Sequence, residues 1–180
     1  MTSLEKSSLP SKYKALGYQH GVLPRLLWPL LVYEVPISTV ERLERKMTYL
    51  RRWLGIPRSF CSIGLYSTGS KLQLPVASVV EEYKATKTHK AMMLRDSQDA
   101  RVPQADIEVG TGRKWSASRA LREAEDHLQH ADIVGSVAKG RLGLGCSTRV
   151  SLVKANPKER CGMVQREVRK AEEEGDVSRL

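Results

Sequence analysis

With one Phe and aromatics at only 6% of its 180 residues, the chain cannot build a core around stacked rings. Burial must come from Leu, Val, Ala and Met, which predicts a loosely specified helical core. Cysteine is scarce as well. Cys61, Cys146 and Cys161 are odd in number, widely spaced and without a CxxC pair or histidines at ligand spacing. That excludes a disulfide framework or a structural zinc and points to a reducing compartment. No apolar run reaches the roughly 20 residues that cross a bilayer. The most apolar stretch, "VLPRLLWPLLVYEV" at 22–35, carries Arg25, Glu34 and two prolines. The first twenty residues have neither the apolar centre of a signal peptide nor the acid-poor, Arg-rich character of a transit peptide. An intracellular protein is expected, nuclear or cytoplasmic, with no membrane partner.

Catalytic signatures are missing too. There is no G-x-S-x-G setting for a nucleophile and no base partner for Cys61 or Cys146. "GRLGLG" at 140–145 lacks the spacing of a phosphate-binding loop and reads as a helix end with a turn. His127 and His130 stand three apart with Asp126 and Asp132 nearby, but no third ligand is evident, so they read as solvated helix residues. No catalytic residue, metal or cofactor is expected, and the chain is read as not an enzyme.

What is present is positive charge. Thirty Lys and Arg against twenty Asp and Glu give a formal charge of +10, which favours anionic partners. One domain is the default at this length. Periodicity predicts a mainly α fold, a small irregular helical domain with long loops and flexible termini. Four stretches are distinguished: a flexible lead-in at 1–20, a helical module at 21–95, a loop-rich region with one helix at 96–155, and a C-terminal helix and tail at 156–180. In the second stretch Leu23, Leu26, Leu27, Leu30 and Leu31 have helical spacing, with Pro29 expected to kink or end the helix at Trp28. A further helix is predicted from near Pro75 to about Leu94, burying Val76, Val79, Val80, Tyr83 and Ala91 and showing Lys84, Lys87 and Lys90. Later helices are predicted from Ser116 or Ser118, carrying Leu121, Ala124 and Leu128 with Trp115 just outside, and from Asn156–Pro157, presenting Cys161, Val164, Val168 and Ala171.

The clearest helix lies in "TVERLERKMTYLRRWLGIPRS" at 39–59, with Ser38 and Glu41 as a capping pair and Gly55 and Pro57 as the stop. Residues about 100° apart put Val40, Leu43, Met47, Leu50 and Leu54 on one stripe. Arg42, Arg45, Lys46, Tyr49, Arg52 and Trp53 gather opposite. Rings among guanidiniums suit a phosphate-tracking surface that stacks on bases. The plainer reading is that Trp53 and Tyr49 cover a neighbouring segment and the arginines are a solvated face. "GTGRKW" at 110–115 offers Arg113 and Lys114 as a second phosphate contact, against the plainer reading of Trp115 as a staple with solvated neighbours.

The stretch Gly21 to Ser59, "GVLPRLLWPLLVYEVPISTVERLERKMTYLRRWLGIPRS", resembles the segment after the polymerase palm in reverse transcriptases of LINE-type (non-LTR) retrotransposons. In that family a leucine-rich helix leads to a basic helix ending in a W-L-G-x-P-R-like turn, matched here by Leu23 to Leu31 and Val40 to Arg58. "KLQLPVASVVEEYK", "VGTGRKWSASRAL" and "GRLGLGC" are similar to the region downstream of the thumb in some animal retroelement open reading frames. The resemblance implies a thumb that grips template and primer, with RNA or DNA backbone, as hybrid or duplex, for a partner. Its contacts would be Arg42, Arg45, Lys46, Tyr49, Arg52, Trp53, Arg58, Arg113 and Lys114. The departure from the family is equally clear: no Asp-Asp pair occurs in the sequence, whereas polymerisation needs converging carboxylates on magnesium. A thumb-side remnant without polymerase activity is implied. The competing expectation is a small helical protein–protein interaction module with no nucleic-acid role.

Overall fold

The computed structural model describes residues 6–47, 49–57, 66, 76–143 and 151–177. Among the described residues every regular element is helical and no strand occurs, so the chain is mainly α. Residues 58–65 and 67–75, with Cys61 and Pro75, and the Cys146 region lie outside these residues. The chain divides into two compact units. One comprises 1–83, 111–114 and 172–180, and the other 84–110 and 115–171.

In the first unit residues 11–20, the second half of the segment expected as a flexible lead-in, are helical. Helix α1 (Ser11–Gly17) buries Ala15 and continues into a single π-helical turn, Tyr18–Val22, and then α2 (Leu23–Val32). The fully buried Tyr18 explains the order: a large side chain inside the fold fixes the polar sequence around it. Pro29 does not end α2 at Trp28, since the helix runs on to Val32. It removes one backbone donor, the helix tolerates the loss, and the Tyr33 N–H closes the last turn on the Pro29 carbonyl at 3.0 Å.

The expected single basic helix is two helices. Helix α3 spans Ile37–Lys46, and α4 spans Tyr49–Trp53. The break falls at Met47, whose φ of −83° and ψ of 21° leave helical geometry. Met47 is buried, as its place on the stripe of Val40 and Leu43 predicts. The Ser38–Glu41 cap is not made. Extended Pro36 precedes α3, and the Ile37 N–H donates instead to the Thr111 carbonyl at 3.1 Å. The far stop is as expected: Gly55 has φ 68°, and the Ile56 and Gly55 amides bond back to the Arg51 and Arg52 carbonyls at 2.9 and 3.2 Å, a Schellman ending. Helix α1 packs against α4.

Helix α5 (Val79–Arg95) starts four residues beyond Pro75, because Ser78 caps it through Oγ to the Glu81 N–H at 3.2 Å. Val76, Val79, Val80, Tyr83 and Ala91 are buried as expected. Tyr83 donates its hydroxyl to the Val35 carbonyl, and burial pushes its pKa up to about 12. Lys87, expected in solvent, is 1% exposed. Lys87 stands four residues after Tyr83 and four before Ala91, on the same buried stripe as Val80, so its stem is enclosed on that side, while Glu82, Thr86, His89 and Met93 form the more open face.

The second unit has one cluster of buried residues: Ala91 and Met92 with Ala117, Leu121, Ala124, Leu128, Leu152, Val164 and Val168, flanked by Trp115 and Cys161. Here a short helix α6 (Arg101–Gln104) interrupts the polar connection. Helix α7 (Ala117–Arg141) follows Ser116 as expected but runs through Gly135 and Gly140 before Gly143, φ 69°, ends it. Its continuous hydrogen bonding outweighs the modest propensity cost of two glycines. Helix α8 (Pro157–Val177) opens on a reciprocal cap. Asn156 Oδ1 accepts from the Glu159 N–H at 2.9 Å, and Glu159 Oε2 from the Asn156 N–H at 3.1 Å. It runs to Val177, into the stretch expected as a tail, and Ala171 is exposed. Burial pushes the Cys161 thiol up.

Candidate nucleic-acid interface

Helix α3 separates its charges by sign. Ile37 and Val40 are 1% and 0% exposed, fixing the inward side. The two acids lie towards that side and are occupied. Glu44 Oε1 accepts the Val79 N–H at 3.2 Å, at the positive end of α5, where a carboxylate is favoured by the helix dipole. Glu41 receives both bonds from Lys114 Nζ, at 2.6 and 2.8 Å. The cations lie opposite. Arg42, Arg45 and Lys46 are exposed and make no ion pair among the described residues. Heptad-like spacing of Val40, Leu43 and Met47 produces this arrangement, because positions 42, 45 and 46 then fall within roughly a third of a turn on the far side.

Residues 111–114 join the same unit through backbone contacts. Thr111 is buried and accepts from Ile37, while Gly112, with φ 87°, lies so close to Pro36 that an added Cβ would stand 3.1 Å from the proline Cβ. Arg113 and Lys114 are thereby carried to the start of α3, and both are exposed. Arg113 is unpaired among the described residues. Lys114 is not an open cation, since its charge is spent on Glu41.

The outward ring expected at position 53 is corrected. Trp53 is 6% exposed, because the break at Met47 rotates α4 out of phase with α3 and turns the indole into the core. The plainer alternative, a ring that covers a neighbour, is what its helix does, packing on α1. Arg52 remains exposed on the same short helix and is engaged within the fold. Tyr49 opens α4, its side chain outside the described set, and Arg58 lies outside the described residues.

Exposed rings of this unit lie elsewhere, at Tyr13, Trp28 and Tyr33. Trp28 on α2 is 68% exposed, with Arg25 one turn before it and Val32 one turn after, both exposed, and Tyr33 at 65%. Sequence reasoning passed over it because leucine spacing defined the segment and Trp28 marked only the place where Pro29 would break the helix. The signal was available: positions 25, 28 and 32 share a helical face, and that face begins with a charge. His127 and His130 gather no ligand set; His127 Nδ1 stands 3.7 Å from Glu167 Oε1, and no metal-binding group occurs among the described residues. No described helix is long and apolar enough to cross a membrane.

No protein-family model matches the chain, and no curated protein or solved structure is significantly similar to it.

Proposed function

We propose that the first unit binds a nucleic-acid backbone without sequence preference, as a thumb-like remnant of a LINE-type reverse transcriptase that lacks the palm and its aspartates and does not polymerise. The observation that supports this reading is the sorting of charge on α3. Both acids find partners off the helix, Glu44 on the Val79 amide and Glu41 on Lys114, and three cations are left to solvent. A helix face that served solubility alone would gain by pairing Glu41 or Glu44 with its own arginines one turn away. Arg42, Arg45, Lys46 and Arg113 contact phosphates. The stacking ring is Trp28, with Arg25 beside it, in place of Trp53.

Binding of a labelled RNA/DNA hybrid across a salt series tests the reading. Each phosphate contact contributes about −0.9 to the log–log salt slope on duplex. Replacing Arg42, Arg45 and Lys46 together by Glu removes three of them. Unchanged affinity in the triple variant rejects the assignment.

A second reading is favoured by the exposure of Trp28, Val32 and Tyr33: α2 docks a protein partner, and the charge serves solubility. It predicts association that is insensitive to salt and abolished by Trp28→Ser, with no loss from the triple charge reversal.

A further inference from the structure

Helix α7 changes character halfway. Its first turns bury Ala117, Leu121, Ala124 and Leu128 in the second unit's core, whereas Ile133 is 64% and Val134 51% exposed, and Val137 49%. Stepping about 100° per residue, these three fall on one face together with Asp126, His130 and Arg141, all exposed. The face runs sixteen residues, about 24 Å. It carries an acid at one end, aliphatic side chains in its centre and a guanidinium at the other end. Asp126 and Arg141 make no ion pair among the described residues.

We propose that this face binds a second copy of the chain, α7 against α7, antiparallel about a two-fold axis passing between Ile133 and Val134. The occupant follows from the order of charges. In that register Asp126 of one copy meets Arg141 of the other at both ends, His130 meets Val137, and Ile133 and Val134 close on their counterparts in the middle. Every charged end finds its opposite by symmetry alone, the self-complementarity an isologous contact requires. A polyanion has no use for the exposed aliphatics. An anionic bilayer surface is disfavoured by Asp126, since interfacial helices present cations on both flanks. Gly140 borders the face and lets the partner helix approach closely. The nucleic-acid reading of the first unit is independent of this one.

Sedimentation equilibrium of the full chain tests it. The expected result is a reversible shift from 20.2 kDa towards twice that mass as concentration rises. Val134→Glu raises the dimer dissociation constant at least about tenfold, while circular dichroism shows unchanged helicity because the position is exposed. Asp126→Arg and Arg141→Glu each weaken self-association, since each places like charges at both ends. Mixing those two variants restores the dimer, because in the mixed pair both ends are again opposite in sign. A monomer at every concentration up to about 200 µM, a dimer indifferent to Val134→Glu, or a mixture that fails to recover overturns the proposal.

Discussion

Helices Ile37–Lys46 and Ala117–Arg141 each leave one face to solvent, and the two faces differ in kind. On the shorter helix the acids are paired to the side, with Lys114 and the Val79 amide, so the far face is purely cationic. On the longer one the outside is aliphatic, with an acid and a base at its ends. The difference teaches that an exposed helix face is defined by what its buried side consumes. Pairing two acids internally leaves a field that falls with salt, whereas burying the leucines of the first turns leaves apolar area whose attraction is nearly independent of ionic strength.

The contrast within α7 itself is the easiest to break. Leu121→Ala is expected to destabilise the second unit by about 2–5 kcal/mol, since the leucine is 3% exposed in the cluster with Val164 and Val168. Val134→Ala, on the exposed half of the same helix, is expected to change stability by less than about 0.5 kcal/mol. Urea denaturation of the two variants measures both; equal losses would mean that the exposed half is in fact packed.

Smaller changes act on α3. Glu44→Ala removes the carboxylate from the start of α5 and is expected to cost about 1 kcal/mol, as loss of an N-terminal cap does, in the same denaturation assay. Glu41→Gln should change stability least, by under about 1 kcal/mol, because Lys114 is 63% exposed. Its effect on binding has the opposite sign. Freeing Lys114 adds one cation to the face, so the salt slope for a polyanion should steepen by about 0.9.

The mainly α class was readable from leucine and valine spacing, and so were the late helices, where Asn156–Pro157 and Trp115–Ser116 mark the starts by local chemistry. The face of α3 was readable too, because Val40 and its neighbours alone decide which way Arg42, Arg45 and Lys46 turn. Trp53 was not. Its direction depends on a break at Met47, and a wheel drawn through 39–54 assumes a continuity that only tertiary packing can grant or deny. Lys87 and the N-terminal helix were missed for a related reason: a buried neighbour such as Tyr18 or Thr88, not the residue's own polarity, settles where the chain goes. The tie between Lys114 and Glu41, far apart along the chain, has no local signature at all.

The hydrogen bond from Ile37 to the Thr111 carbonyl also imposes an order on synthesis. A ribosome adding roughly 5–20 residues per second needs about 4–15 s to travel from the first position to the second. Throughout that interval the leading amide of the basic helix faces water, and a nascent chain stalled before residue 111 carries its cations with Glu41 still unclaimed. The helix acquires its final charge balance only when a segment made seconds later returns to it.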